Sequence, residues 1–91
     1  MEEISIIYQK EQQRSLALSD GQEIGECDYE VRDGKWAIVH TIVSPAFGGR
    51  GIAKNLVNKL VEEARKVGIK IIPICSYAKK LFEKEEYQDI L

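Results

Sequence analysis

The chain has 91 residues, enough for one domain with a single hydrophobic core, which we place at residues 1–91. With 44% hydrophobic and 31% charged residues, its composition excludes an intrinsically disordered protein. The formal net charge of −2 gives it no basic surface for nucleic acid or anionic membranes.

The first 43 residues predict an antiparallel meander of strands. The predicted strands are residues 5–9, 15–18, 22–31 and 36–43. Two Asp-Gly pairs, at 20–21 and 33–34, are typical of hairpin turns between strands. The last run, WAIVHTIV, is apolar at both alternating positions. We therefore expect a central strand that is covered on both faces.

After residue 51 the hydrophobic period changes from that of a strand to that of a helix. The apolar positions at helical spacing are Ala53, Leu56, Val57, Leu60, Val61 and Ala64. Gly68 is placed to end this helix, and Glu62 can pair with Lys66 one turn away. The sequence therefore predicts a helix that buries one face and exposes the other.

A short apolar strand is predicted at residues 69–75, and with the strand before the helix it forms a βαβ unit with parallel strands. Pro73 interrupts this strand and cannot donate to a ladder, so it marks an edge, a bulge, a separation of the two strands or a strand end. Ser76 can then cap a last helix through Phe82, before a polar tail.

Three glycines and an arginine lie directly before the predicted long helix. A strand, a glycine turn and a helix N-terminus together present unpaired backbone N–H groups and the positive end of the helix dipole. Without Cβ atoms a phosphate can approach the backbone, and the arginine adds a charged donor. A tight connection without any ligand is the alternative. The candidate phosphate-binding residues are Gly48, Gly49, Arg50, Gly51, Ile52 and Ala53.

Two nucleotide-binding motifs are excluded by the residues of this turn. A Walker A loop needs Gly-Lys-Ser/Thr, but Ile52 follows Gly51 here. The dinucleotide fingerprint needs GxGxxG, whereas the chain reads GGRGIA.

The segment VSPAFGGRGIAKNL, from Val43 to Leu56, resembles the acyl-CoA pyrophosphate loop of the GNAT superfamily of N-acetyltransferases, usually written Gln/Arg-x-x-Gly-x-Gly/Ala. Gly51 and Ala53 match its last two fixed positions, and Gly48 stands at the first. Together with EEARKVGIKIIPICSYAK and EYQDIL, this segment is similar to the very small, single-domain GNAT-like proteins.

The resemblance implies a mixed α/β (α+β) fold, in which an antiparallel meander precedes a βαβ unit with splayed parallel strands and a C-terminal helix. It also implies acetyl-CoA as the acyl donor and an amine, on a small molecule or a protein, as the acceptor. The pantetheine arm would lie between the splayed strands, with the backbone of Ile42 and Val43 contacting its amides. Pro73 would stand where the strands separate.

Many GNAT enzymes place a glutamate on the strand before the loop as a general base. Ile42 stands there in this chain, and no carboxylate lies between Asp33 and Glu62. His40 is the remaining titratable group of that strand, and simple alternation puts it on the face of Ile42, Trp36 and Ile38. It is a general base, an orienting partner for a thiol, or a packed histidine.

Cys75 follows the second parallel strand and precedes a helix, where the pKa of a thiol can fall. In one interpretation Cys75 is a reactive thiol that takes the acetyl group, with His40 assisting. In the other, Cys75 is a packing residue and the amine attacks the thioester directly. Tyr77 can donate a proton to the leaving thiolate. We interpret Cys27 as structural and Trp36 as core.

Three functions remain open: an acyl-CoA-dependent N-acetyltransferase, a non-catalytic acyl-CoA-binding module, and a phosphate binder unrelated to acyl-CoA. With one histidine and no CxxC spacing, we expect neither a metal site nor a disulfide. No apolar run reaches the ~18 residues that span a bilayer, and no basic-then-apolar leader is present. We expect a cytoplasmic monomer or weak homodimer.

Overall fold

A computed structural model describes residues 3–91 of the chain. Five strands form one sheet in the order β1-β2-β3-β4-β5, with the pair β4–β5 parallel and the others antiparallel. The strands are β1 (Ile4–Gln9), β2 (Arg14–Ser19), β3 (Gln22–Arg32), β4 (Lys35–Val43) and β5 (Ile71–Pro73). The helices are α1 (Ile52–Val67) and α2 (Ser76–Leu81), with 3-10 helices at Pro45–Phe47 and Glu85–Ile90. The predicted meander and βαβ unit are confirmed.

The two Asp-Gly pairs form the tight turns of the meander. Asp20 and Gly21 connect the paired residues Ser19 and Gln22, and both have positive φ, 48° and 84°. The pair at 33–34 does the same between β3 and β4, with φ of 52° and 73°. Positive φ at both central positions matches the right-handed twist of the flanking strands, which is why Asp-Gly sequences favour such turns.

Helix α1 packs its apolar face on the sheet, as its period predicts. The buried residues of the helix are Ile52, Leu56, Val57, Leu60, Val61 and Ala64. Gly68 ends it with φ 71°, and its N–H bonds to the carbonyls of Ala64 and Arg65. The predicted Glu62–Lys66 ion pair is present at 3.5 Å. Helix and meander share one hydrophobic core.

The C-terminal segment, expected to be a polar tail, is folded onto α1. Tyr87 and Ile90 are both 3% exposed. The ring of Tyr87 stacks on Phe82 at 4.9 Å, and its hydroxyl donates to Asn58 Oδ1 at 2.5 Å. Tyr87 and Ile90 stand three residues apart among polar and charged neighbours, so the sequence of this segment reads as polar. The 3-10 helix, with three residues per turn, brings both side chains to the same buried side.

All the helices of the described residues pack on one face of the sheet, and the shortest principal extent of the molecule is 19 Å. No helix of residues 3–91 packs on the other face; Leu16 and Ala37 on it are buried among neighbouring side chains, but Ile42 is 52% exposed. The expectation that β4 is covered on both faces is therefore wrong for its second half. We call this uncovered surface the open face.

Candidate active site

Strands β4 and β5 pair over only three residues and then separate. The last rung joins Ile38 to Pro73, after which the amides of Ile74 and Cys75 both donate to the Ile38 carbonyl at 3.0 Å. Residues 40–43 of β4 pair with β3 but not with β5. Pro73 therefore stands at the end of the parallel ladder, and a gap opens beyond it, as the splayed strands of the predicted fold require.

A β-bulge at Val39 divides β4 into two halves. Tyr29 of β3 is opposite Ile38, but the preceding residue, Asp28, is opposite His40, so Val39 is the extra residue. Before the bulge, Trp36 and Ile38 belong to the core under α1. After it, His40 is exposed on the open face. The predicted common face of His40 with Trp36 and Ile38 is wrong, because the bulge breaks the alternation.

The glycine loop lies at the end of β4, in front of α1. Gly49 and Gly51 both have φ of 75°, and no side chain caps the helix at Gly51. The first helical hydrogen bond runs from the Asn55 N–H to the Gly51 carbonyl at 3.1 Å, so the earlier amides of the first turn have no partner within the helix. A Cβ built on either glycine meets no atom within 4 Å. The space in front of these amides is open, and it fits a phosphate group.

A cavity of about 250 Å³ joins this loop to the end of β4 and the start of α2. Its lining residues are Val43, Phe47, Gly48, Gly49, Gly51, Ile52, Ala53 and Tyr77. Most of the residues singled out from the sequence as loop ligands therefore meet around one space. Tyr77, 39% exposed, joins them there, and burial raises the pKa of its phenol.

Arg50 lies beside this cavity. Its guanidinium carbon is 5.1 Å from the centre of the Phe47 ring, a cation–π contact. Phe47 in turn lines the cavity, so the contact holds a positive charge at its rim.

The Cys75 thiol is held by Thr41 and by the start of α2. Its sulfur accepts from the Ala78 N–H at 3.4 Å and lies 3.5 Å from the Thr41 hydroxyl. The same hydroxyl is 3.4 Å from the sulfur of Cys27, which is fully buried. Burial raises the pKa of the Cys27 thiol to about 12, and this suits the structural role expected for it.

His40 does not share this position. It precedes Thr41 in β4 beyond the bulge, so the two side chains point to opposite faces of the sheet. Thr41 lies beside Cys75 on the side of the helices, while His40 is exposed on the open face. The hydroxyl of Thr41 occupies the place that the sequence interpretation gave to the imidazole.

Two carboxylates that the sequence interpretation left out lie next to His40 on the open face. Glu26 is opposite Ile42 and Asp28 is opposite His40, while Cys27 between them points into the core. Burial, and then the Glu26 carboxylate beside it, raises the pKa of Asp28 to about 6. The hydrogen bond from Asp28 is the main cause that lowers the pKa of Glu26.

The position of these carboxylates beside β4 could have been found from the register of the β3–β4 hairpin. The Asp-Gly turn at 33–34 pairs Arg32 with Lys35, and counting back along both strands puts Asp28 opposite residue 39. Only the bulge moves it to His40. The sequence interpretation considers a base on β4 alone, whereas the neighbouring strand supplies two carboxylates on the same face.

Two other kinds of site are not found in residues 3–91. No described helix combines the length and the apolar character needed to cross a membrane. No group of three or more histidine, cysteine, aspartate or glutamate side chains in this part of the chain is arranged to hold a metal ion.

Comparisons with known proteins agree with this geometry. Residues 14–90 match a family model described as GCN5-related N-acetyl-transferase. A GCN5-like candidate N-acetyltransferase from Staphylococcus aureus is 35% identical with a TM-score of 0.73, and the match covers 94% of this chain and 85% of that one. No curated protein matches the chain.

Two longer structures share the fold. Ribosomal-protein-alanine N-acetyltransferase from Brucella melitensis biovar Abortus 2308 is 26% identical, with a TM-score of 0.61 over 77% of this chain and 57% of that one. A predicted acetyltransferase from Clostridium acetobutylicum, solved with acetyl-CoA, is 23% identical, with a TM-score of 0.62 over 84% and 57%. The chain spans somewhat more than half the length of these two proteins.

Proposed function

Since the chain belongs to the family of GCN5-related N-acetyltransferases, we propose that it transfers an acetyl group from acetyl-CoA to an amine. The observation that carries this proposal is the cavity shared by the glycine loop, the end of β4 and Tyr77, next to the gap between β4 and β5. The neighbour from Clostridium acetobutylicum was solved with acetyl-CoA, which supports the choice of donor.

The donor would be held by backbone groups. The amides of Gly49, Gly51 and Ile52 and the positive end of the α1 dipole would bind the pyrophosphate, with Arg50 at the rim. Gly48 and Ala53 would complete the loop. The pantetheine arm would enter the gap along β4, where the backbone of Ile42 and Val43 is not paired with β5. Acetyl-CoA supplies the thioester, and the chain orients it.

Transfer needs a neutral amine, a donor for the oxyanion and a proton for the leaving thiolate. A backbone N–H beyond the bulge at Val39 is suited to the oxyanion, because β5 does not use it. Tyr77, beside the loop, would protonate the thiolate. His40, which is exposed on the open face, would act as a general base on the amine.

The acceptor amine, on a small molecule or a protein, would approach over the open face, because no helix of the described residues covers it. Cys75 would lie on the opposite side of β4, next to the thioester. We place the activity in the cytoplasm, in a monomer or weak homodimer. A single domain of residues 1–91 would carry it.

The test is calorimetric titration with coenzyme A, acetyl-CoA and ATP, followed by thiol release from acetyl-CoA in the presence of a panel of primary amines. We expect binding of both coenzyme A forms, no competition by ATP, and thiol release that depends on an amine. Binding without release over hours would leave a non-catalytic acyl-CoA-binding module. Binding of ATP but not of coenzyme A would indicate a phosphate site of another kind.

A further inference from the structure

We propose that Asp28 of β3 is the general base of the transfer reaction, and that Glu26 and Arg14 position it. This inference rests on the proposed function and deepens it, because it moves the role of proton acceptor from His40 of β4 to a carboxylate of the neighbouring strand. It also defines the acceptor as an amine that arrives protonated at the open face.

The register of the β3–β4 hairpin carries the argument. Glu26 is the direct cross-strand partner of Ile42, and Asp28 is the partner of His40. Directly paired residues of antiparallel strands point to the same face with Cβ atoms about 5 Å apart. The two carboxylates therefore reach the surface above the part of β4 that has separated from β5.

A cavity borders the Glu26–Ile42 pair at the end of β4. Its volume is about 260 Å³, and Glu26, Ile42 and Val43 are among its lining residues. It borders β4 on the face opposite Thr41 and Cys75. An amine in this cavity would meet the thioester from the side opposite the thiols, with Glu26 in the cavity wall and Asp28 two residues further along β3.

The charges around Asp28 come from its own strand and from the two neighbouring strands. Glu26 shares its own strand, His40 lies across from it on β4, and Arg14 is its partner on β2. Arg14 is 3.4 Å from the Glu26 carboxylate and 3.8 Å from that of Glu23, and its Nε donates to Gln9 Oε1 at 2.6 Å. Arg14 thus fixes Glu26 as a carboxylate, and Glu26 in turn favours the protonated form of Asp28.

This arrangement gives the two acids different tasks. Burial and the adjacent Glu26 raise the pKa of Asp28 to about 6, near the value at which a base works best at neutral pH. The hydrogen bond from Asp28, with help from Arg14, keeps the pKa of Glu26 low. Asp28 can therefore take and release a proton while Glu26 stays charged and attracts the ammonium group.

The proposed step balances as follows. An N–H bond of the ammonium group breaks and its proton goes to the Asp28 carboxylate, which leaves a lone pair on nitrogen. The nitrogen attacks the thioester carbon, a C–N bond forms, and the C–S bond breaks as the carbonyl is restored. The second proton of the nitrogen ends on the coenzyme A sulfur, and Asp28 returns the first to water.

The experiment compares wild type with Asp28→Asn and Glu30→Gln, using acetyl-CoA and two acceptors, spermidine and trifluoroethylamine. Glu30 lies on the same strand and face but is opposite Ala37, where β4 still pairs with β5, so it is the matched control. Trifluoroethylamine is already neutral at neutral pH and needs no base. Unfolding curves and coenzyme A titrations check that each variant folds and binds the donor.

We expect Asp28→Asn to lose about 100-fold in kcat/KM with spermidine, the usual size of a general-base contribution. Its activity with trifluoroethylamine and the behaviour of Glu30→Gln should stay close to wild type. The inflection near pH 6 in the wild-type profile with spermidine should be lost in Asp28→Asn, whose activity should instead keep rising as the pH approaches the pKa of the amine. Adding Ile42→Glu to that variant should restore part of the spermidine activity, because it returns a carboxylate to the same surface.

Equal activity and an unchanged pH profile in Asp28→Asn would overturn this inference and leave the transferase intact. Equal losses with both amines would also overturn it, since they indicate a structural effect rather than proton transfer. A wild-type protein that binds coenzyme A and acetylates neither amine would overturn the proposed function together with the inference.

Discussion

The hydroxyl of Thr41 lies 3.5 Å from the sulfur of Cys75, just beyond the last rung that joins β4 to β5. The neighbouring residue of β4, His40, points to the other face, where Asp28 lies across from it. On one side of β4 the Thr41 hydroxyl thus meets the thiols of Cys27 and Cys75, and on the other side the His40 imidazole lies beside the two carboxylates of β3. This separation favours direct attack by an amine over a relay through Cys75.

The first prediction concerns that choice. Cys75→Ala should keep most of the transfer activity, because the base and the acceptor lie on the opposite face of β4. Intact mass after incubation with acetyl-CoA alone should show no added acetyl group. A wild-type protein that gains one acetyl group, mapped to Cys75 and lost in Cys75→Ala together with activity, would instead establish the covalent route.

A second prediction uses the two glycines at the ends of α1. Gly51 and Gly68 have φ of 75° and 71°, and a Cβ on either meets no atom within 4 Å. Replacing either by alanine should therefore cost a similar amount of stability, about 1 kcal/mol for a left-handed backbone. Only Gly51→Ala should weaken coenzyme A binding, by about tenfold. Calorimetry that finds equal affinities in the two variants would remove the phosphate site from the loop.

The third prediction concerns Arg50. Held over the Phe47 ring at the rim of the loop cavity, its charge should strengthen the binding of coenzyme A in a way that salt screens. Arg50→Ala should bind coenzyme A more weakly and show a flatter dependence of log Kd on salt. Identical salt slopes for wild type and variant would show that the guanidinium does not contact the phosphates.

A fourth prediction links the proposed base to stability. The folded-state pKa of Asp28, about 6, lies above the ordinary aspartate value of 3.8, so folding favours the protonated acid. Its contribution to stability is present below pH 3.8 and is lost as the pH rises through about 6. Asp28→Asn should therefore be more stable than wild type at pH above about 6, with the difference shrinking toward pH 3.8. Denaturant titrations at several pH values measure this, and a constant difference would contradict it.

Much of the fold could be predicted from local patterns. The Asp-Gly pairs predicted the turns of the meander, the apolar period predicted α1, and Gly68 predicted the end of that helix. Each of these features depends on a few adjacent residues. The C-terminal 3-10 helix could not be predicted in this way. Its burial depends on Tyr87 meeting Phe82 and Asn58, and Asn58 lies on α1, far away in sequence.

The candidate site also has one part that local sequence could predict and one part that it could not. The glycine loop is a local motif, so its position between β4 and α1 could be predicted from the sequence. The partners of β4 depend on a bulge that adds one residue to the strand, and periodicity cannot reveal it. Once Val39 is counted as the extra residue, Thr41 faces Cys75, and His40 faces Asp28. An alternation without the bulge puts His40 on the wrong face.

The most direct test of the central claim is the acetyl balance of the reaction. Wild-type protein is incubated with isotope-labelled acetyl-CoA and an amine, and mass spectrometry measures the N-acetylated amine while a thiol reagent measures free coenzyme A. We predict equal amounts of the two products, formed faster than without protein and much more slowly by Gly51→Ala. Tight binding of acetyl-CoA with neither product above the protein-free rate, across the amine panel, would contradict the claim.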